Sequence, residues 1–188
     1  MKYDIIGDVH GHAYELVVLL KKMGYTLSSN GHYYHRGRMA IFVGDYIDRG
    51  PQSRDVCRIV RGMVESESAI ALMGNHEYNA ICFHTLNTSS NESNEGYLRK
   101  HNLKNIKQHY ETLESYNHQE ELEQDIEWFK KLPLYYENDS FRVVHACWHS
   151  EKIAYLKSIN NDEDFNKLGI SYGFLEKSVD KKSKEYEA

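Results

Sequence analysis

The spacing of hydrophobic residues along the chain predicts strands that alternate with helices. A short β-prone stretch at residues 2–6 is followed, over residues 13–23, by apolar positions at three- and four-residue intervals, which is typical of an amphipathic helix. The same order recurs as a strand at 39–43, a helix at 53–64 and a strand at 69–73. Strands that alternate with helices form a largely parallel sheet through right-handed crossovers. The pattern therefore predicts an α/β fold, which some schemes would class as α+β.

The second half of the chain has a different pattern. Its predicted elements are a helical stretch at residues 105–131, a hairpin at 134–144 and a helix at 150–159. We interpret residues 85–131, which begin with a polar surface loop, as a helical insertion that caps the site. The charged end at 177–188 has little apolar periodicity, and we expect it to fray. Together these features indicate a single domain over residues 1–188.

Composition argues against several classes of protein. Lysine and arginine number 23 against 28 aspartates and glutamates, which gives a formal charge of −5 and makes a nucleic-acid partner unfavourable. The longest apolar runs are far shorter than the roughly 18 residues of a membrane span, and the first residues do not resemble a secretory signal. Cys57, Cys82 and Cys147 are odd in number and widely spaced, as expected for reduced thiols. We therefore expect a cytoplasmic protein with no membrane partner.

Polar side chains follow each predicted strand of the sheet. Asp8 and His10 come after the first strand, and Asp45 comes after the second. Asn75 follows the third strand, and His145 follows the last strand of the later hairpin. Because ligand sites of parallel sheets lie beyond the carboxyl ends of the strands, we expect these side chains to meet at one rim.

These five residues combine oxygen and imidazole donors without a thiolate. Such a set suits Mn, Fe, Zn, Co or Ni rather than a structural zinc–cysteine site. Five ligands are too many for one open catalytic ion, whereas a carboxylate shared between two ions roughly 3.5–4 Å apart divides them sensibly. The first ion would then take Asp8, His10 and Asp45, and the second would take Asp45, Asn75 and His145.

Three sequence strings carry a resemblance to a known family. GDVHG (7–11), GDYIDRG (44–50) and GNHE (74–77) occur in this order, each after a predicted strand. The chain thus resembles the calcineurin-like metallophosphoesterases, most closely the branch of bacterial protein phosphatases and diadenosine tetraphosphatases. The resemblance implies a β-sandwich flanked by helices, a centre of two divalent ions with Mn²⁺ as first choice, and hydrolysis of phosphate esters or anhydrides by a metal-bridging hydroxide.

The resemblance also implies roles for individual residues. It assigns the same five metal ligands, with Asp45 shared between the two ions. His76 would protonate the leaving oxygen, and Asp48 would hold the His76 ring in the useful orientation. Arg49 and Asn75 would bind the substrate phosphate. The phosphorylated substrate could be a phosphoprotein, a dinucleoside polyphosphate or a small phosphoester.

One departure from the family pattern leaves two interpretations. The family supplies a further metal-binding histidine from a Gly-His motif after the position of His145, but this chain has no histidine beyond His149. The chain could be C-terminally incomplete, which we favour, or a short relative that binds the second ion weakly. The corresponding alternative function is a catalytically weak or inactive module that binds metal or phosphate.

Simpler structural roles remain for these residues. Glycine-flanked acids and amides often cap the helices that follow them. His145 alone could be a core histidine, and Arg49 could pair with Asp48 or Asp55. The remaining histidines, among them His84 and His109, are expected to be packing or solvated residues.

Overall fold

The computed structural model describes residues 1–88, 96–159 and 171–187. Most of the predicted polar loop at 85–96 and the last residue of the expected tail lie outside the described residues. The elements in chain order are β1 (Lys2–Ile6), α1 (Ala13–Lys22), β2 (Thr26–Leu27), β3 (Tyr33–Tyr34), β4 (Arg38–Phe42), α2 (Ser53–Glu65), β5 (Ala69–Ala71), α3 (Asn75–His84), α4 (Leu103–Ser115), α5 (Gln119–Phe129), β6 (Tyr135–Glu137), β7 (Arg142–Val144), α6 (Ser150–Ile159), α7 (Tyr172–Ser178) and α8 (Lys184–Glu187).

The central sheet is parallel, with strand order β1-β4-β5. Ile6 pairs with Phe42, and Phe42 pairs with Ala71, so the three strands end level with one another. The loops after β1, β4 and β5 therefore leave the sheet at the same edge. This arrangement confirms the predicted α/β class and places the three glycine-led loops together.

Two antiparallel pairs accompany this sheet. Strand β2 pairs with β3, and β6 pairs with β7. The second pair lies beside β1, because the Tyr3 ring contacts the Phe141 ring edge-on at a centroid distance of 4.9 Å. This hairpin brings the residues after β7 towards the same edge of the central sheet.

Helices α1 and α2 bury the apolar stripes that the sequence pattern predicts. Leu16 and Leu20 of α1, and Val56, Val60 and Met63 of α2, are buried in the main core together with strand β4. Burial of these stripes fixes both helices against the sheet. Among the described helices, none combines the length and the apolar character that crossing a membrane requires.

The predicted helical stretch at 105–131 consists of two helices. Helix α4 begins after Asn102, whose side chain accepts the Asn105 backbone N–H at 2.9 Å. Tyr116 and His118 have extended backbones, so the helix is interrupted before α5 begins. Helix α5 buries Leu122, Ile126 and Phe129, whereas α4 buries the polar side chains of His109 and Thr112. Helix α4 therefore has a buried polar face in addition to Leu113, which packs against the apolar core.

The C-terminal segment contains further helices. Residues 172–178 form α7, and residues 184–187 of the expected tail form α8. The assignment of 1–188 to one domain, the capping role of residues 85–131 and the fraying of 177–188 stay predictions.

Glycines allow the loop after β4 to approach the loop after β5. Gly44 has a φ of 108°, and a Cβ atom there would lie 2.4 Å from the Gly74 nitrogen. A Cβ atom on Gly74 would in turn lie 2.3 Å from the Asp45 nitrogen. The two backbones are thus too close for any side chain at either glycine.

We predict that Gly44→Ala destabilises the protein by about 3 kcal/mol, because alanine adds both a positive-φ strain and a backbone clash. Urea unfolding measures the change. Gly37→Ala is the matched control, since its Cβ atom would meet nothing within 4 Å, and its effect should stay within about 0.5 kcal/mol. Equal effects of the two substitutions would contradict the close-approach explanation.

Candidate metal and catalytic site

Backbone hydrogen bonds join the loop after β1 to the loop after β4. The Val9 and His10 N–H groups donate to the Asp45 carbonyl at 3.0 and 2.9 Å. The Gly11 N–H donates to the Tyr46 carbonyl at 2.8 Å. These bonds hold the two loops in register, so their side chains occupy defined positions at the sheet edge.

The buried carboxylate of Glu77 joins the loop after β4 to the start of α3. It accepts the N–H groups of Asp45 and Tyr46, each at 2.8 Å, and that of Gly74 at 3.0 Å. Burial raises the pKa of Glu77 to about 7, and the nearby Asp45 charge adds to this effect, while the three N–H donors oppose it. Glu77 therefore acts as a brace, by which we mean that it holds the loop after β4 against the loop that leads from β5 into α3.

Asp45 lies at the centre of the predicted ligand set. Its Oδ2 is 3.6 Å from His10 Nε2 and 4.0 Å from His76 Nε2. Its Oδ1 is 3.6 Å from His145 Nε2 and accepts the His76 backbone N–H at 3.0 Å. Each carboxylate oxygen thus faces a different histidine of the predicted ligand set.

Two of the imidazoles are oriented by main-chain carbonyls. His10 Nδ1 lies 2.8 Å from the Ile47 carbonyl, and His145 Nδ1 lies 2.9 Å from the Val43 carbonyl. Since a carbonyl only accepts, each Nδ1 carries a proton, and a ring with this one proton has its lone pair on Nε2. Both Nε2 atoms face the Asp45 carboxylate.

The donors fit a divalent cation. His10 Nε2 is buried and has no hydrogen-bond partner among the described residues. Asp8 Oδ2 approaches this atom to 3.7 Å. On the other side of Asp45, the Asn75 Oδ1 and His145 Nε2 atoms are 3.0 Å apart. This separation is a hydrogen-bond distance if His145 carries a proton on Nε2, and it also suits two ligands of one cation.

The five predicted ligands are therefore brought together, but their exposure differs. The side chains of His10 and Asp45 are 8% and 4% exposed, whereas that of Asp8 is 52% exposed. Asn75 is exposed and the His145 side chain is 17% exposed. The centre of the site is buried, and its outer ligands are open to solvent.

The predicted His76–Asp48 pair is present in the buried part of the site. His76 Nδ1 lies 2.6 Å from Asp48 Oδ2, and both side chains are almost fully buried. The Asp48 hydrogen bond raises the pKa of His76 and outweighs the opposite effect of burial. Because Nδ1 is held by Asp48, Nε2 of His76 is directed towards Asp45.

Helix α4 contributes two residues that sequence reasoning missed. His109 Nδ1 lies 2.8 Å from Asp48 Oδ1, and the Thr112 hydroxyl donates to the same oxygen at 2.6 Å. Burial acts to raise the pKa of Asp48, but hydrogen bonds from His109, His76 and Thr112 outweigh it and hold the pKa well below its usual range. His109 was expected to be a packing or solvated residue, but it also forms a hydrogen bond with a carboxylate of the site. The only sequence signal was a polar pair spaced by three residues, which places both on one helix face.

Arg49 is exposed next to Asp48, with a φ of 66°. Neither of the alternative ion pairs considered above is formed within the described residues, because Asp55 pairs with Arg58 at 3.1 Å and the Asp48 oxygens are taken by histidines and a threonine. His10, Asp45 and Asp48 also have positive φ angles. Backbone strain of this kind is concentrated at functional sites.

A family comparison agrees with this geometry. Residues 1–185 match the family described as calcineurin-like phosphoesterase. The chain belongs to the calcineurin-like phosphoesterases. This membership accounts for the three glycine-led motifs, for the parallel sheet that carries them, and for a site of metal-ligand character, since the family uses divalent metal ions.

This calcineurin-like phosphoesterase is similar in sequence to proteins that are named as tetraphosphatases. The asymmetrical bis(5'-nucleosyl)-tetraphosphatase PrpE of Oceanobacillus iheyensis is 33% identical over 146 residues, which are 78% of this chain and 55% of the relative. The protein of the same name from Halalkalibacterium halodurans is 33% identical over 148 residues, which are 78% of this chain and 57% of the relative. The chain thus spans about half the length of these relatives.

A solved structure shares the fold. It is a protein serine/threonine phosphatase from Saccharomyces cerevisiae with similarity to human phosphatase PP5. Its TM-score is 0.55 at 22% identity, and the match covers 94% of this calcineurin-like phosphoesterase and 47% of the yeast chain. At this identity, the likeness shows the shared fold alone.

We predict that Glu77→Gln destabilises the protein by about 3 kcal/mol, because an amide cannot accept three N–H donors and brings donors of its own. Metal affinity should fall as well, since Asp45 loses its backbone brace. Urea unfolding and metal titration measure the two effects. Glu114→Gln, at an exposed position of α4, is the matched control and should change neither. A stable Glu77→Gln protein with unchanged metal affinity would contradict the role of Glu77 as a brace.

Proposed function

We propose that this chain carries the active site for metal-dependent hydrolysis of phosphate esters or anhydrides. The observation that carries the proposal is the position of Asp45, whose two carboxylate oxygens each face a different imidazole Nε2 at 3.6 Å. Such a carboxylate suits a ligand shared between two cations. Family membership supports the same reaction class.

The proposed centre holds two divalent cations, with Mn²⁺ as first choice and Fe, Zn, Co or Ni as alternatives. Asp8, His10 and Asp45 would hold the first, and Asp45, Asn75 and His145 the second. When bound, such cations lower the pKa of a coordinated water and neutralise charge on phosphoryl oxygens.

His76 is proposed as the general acid. Its Nδ1 is held by Asp48 at 2.6 Å, which leaves Nε2 to donate a proton to the leaving oxygen of the substrate. Asp48 also raises the pKa of His76 above its usual value, which favours the protonated form of the ring. Asp48 therefore orients the proposed acid and stabilises its charged form.

Arg49 and Asn75 are proposed to bind the substrate phosphate. Both side chains are exposed at the rim, and Arg49 has no ion-pair partner within the described residues. A free guanidinium offers two parallel N–H donors to phosphate oxygens. Asn75 would contact the phosphate in addition to its metal.

The proposed substrate class is the dinucleoside polyphosphates, because two relatives at 33% identity are named as bis(5'-nucleosyl)-tetraphosphatases. Phosphoproteins and small phosphoesters are the other candidates. We place the protein in the cytoplasm, a location supported by three cysteines without a disulfide in the described chain.

We predict that Asp45→Asn abolishes hydrolysis of p-nitrophenyl phosphate with added Mn²⁺ and lowers the number of metal ions bound per chain. The loss of a shared carboxylate affects both proposed cations. Colorimetric assay and elemental analysis measure the two effects. Asp139→Asn, at an exposed turn position, should leave both unchanged. Metal uptake by the unaltered protein without any turnover would instead favour a binding module.

We predict that His76→Ala slows hydrolysis of substrates with poor leaving groups by roughly 10² to 10⁴ while sparing metal binding. The physical reason is that a poor leaving group needs its proton in the transition state. Steady-state kinetics on an alkyl phosphate, beside metal analysis, provide the measurement. An unchanged rate on that substrate would remove the general-acid role from His76.

A further inference from the structure

Asp48 receives hydrogen bonds from two different parts of the fold. Its Oδ2 faces His76, at the start of α3, at 2.6 Å. Its Oδ1 faces His109 and Thr112, both on α4, at 2.8 and 2.6 Å. The carboxylate is 2% exposed. Its orientation is therefore set by protein donors on both sides and not by solvent.

His109 is itself held on its far side. Its Nε2 lies 3.2 Å from the Nε2 of His84, at the end of α3. A contact between two ring nitrogens requires one proton between them, which ties the orientation of His109 to that of His84. The Phe83 ring packs against His109 with a centroid distance of 5.2 Å. The His109 ring is thus held by the ring nitrogen of His84 and by packing against Phe83.

His84 is suited to this supporting position. Burial lowers its pKa to about 4, and the neighbouring His109 and His101 add to the effect. It is therefore uncharged near neutral pH and adds no positive charge behind His109. The series begins at the half-buried His84, continues through the buried His109 and Asp48, and ends at the proposed acid His76.

Two donors on one carboxylate oxygen have a direct consequence for the other oxygen. Rotation of the Asp48 carboxylate about its Cβ–Cγ bond would break the contacts of Oδ1 and move Oδ2 away from His76. Loss of a donor also makes the buried charge of Asp48 more costly and raises its pKa, so the proton that Asp48 shares with His76 Nδ1 moves closer to Asp48. The hydrogen bonds from α4 to Asp48 thus affect the position of the His76 ring indirectly, through the Asp48 carboxylate.

We propose that His109 is a positioning residue for the general acid His76 and acts through Asp48, so that helix α4 is part of the catalytic machinery. The inference rests on the proposed function. It predicts that changes at His109 alter proton donation to the leaving group more than they alter folding or metal binding.

The test compares three variants. His109→Leu removes the donor to Asp48, whereas His109→Asn keeps an N–H donor close to the position of Nδ1. His101→Phe is the matched control, because His101 lies in the same cluster, stacks on Phe83 at 3.8 Å and bonds the Phe83 carbonyl rather than Asp48. All three proteins are assayed with Mn²⁺ on p-nitrophenyl phosphate and on glycerol 2-phosphate, whose leaving group is much poorer.

We expect His109→Leu to lower kcat on glycerol 2-phosphate by about 10- to 100-fold and on p-nitrophenyl phosphate by less than about threefold. His109→Asn should recover most of this loss, and His101→Phe should affect the two substrates equally. Equal losses on both substrates in His109→Leu, or no recovery in His109→Asn, would overturn the proposal. If His109→Leu does not fold, Thr112→Val replaces it and should show the same selective loss.

A measurement without substrate separates this proposal from the proposed function. The His76 Nδ1 proton in its short bond to Asp48 should give a far-downfield proton NMR signal. That signal should shift or broaden in His109→Leu and stay in His101→Phe, whether or not the protein hydrolyses phosphoesters. An absence of turnover in the unaltered protein would overturn the proposed function alone, whereas an unchanged signal in His109→Leu would overturn the role of His109.

Discussion

The site depends on one buried carboxylate that is not a predicted ligand. Glu77 binds the backbone N–H groups of Asp45, Tyr46 and Gly74, and so joins the loop after β4 to the start of α3. This bond set is possible only because Gly44 and Gly74 let the two backbones come within contact distance. A carboxylate shielded from water satisfies its charge through these donors. The positions of Asp45 and His76 follow from this brace.

The two sides of Asp45 have different surroundings. His10 and His76 lie on the buried side, where their ring centroids are 4.6 Å apart. Asn75 and His145 lie on the more exposed side. Electrostatic interactions are stronger where water is excluded, so the charge of Asp45 is less screened on the inner side than on the outer side. His145 reaches the site from the end of the β6–β7 hairpin, and its contacts with the Val43 carbonyl and with Asp45 join this hairpin to the loop after β4.

The helices after the sheet do more than cover the core. Helix α5 buries an apolar stripe, as an amphipathic helix does. Helix α4 instead directs His109 and Thr112 at Asp48. The His76 ring is thus supported from the start of α3 and, through Asp48, from α4. Two successive helices, α3 and α4, thus bind one buried carboxylate.

The sequence by itself determined the sheet and predicted the candidate ligand set, because both follow from local patterns. The hydrophobic period and the alternation of strands with helices predict parallel strands that end at one edge of the sheet. Asp8, Asp45 and Asn75 each lie shortly after the predicted end of such a strand. The roles assigned to His76 and Asp48 came from family resemblance, and their 2.6 Å contact agrees with it. Only the tertiary structure decided that His109 and Thr112 reach Asp48 and that Glu77 joins two loops. Those contacts connect residues 61, 64 and about 30 positions apart, and no local period encodes a pairing over such separations. They form because a buried carboxylate must be hydrogen-bonded, and the fold brings these donors close to it.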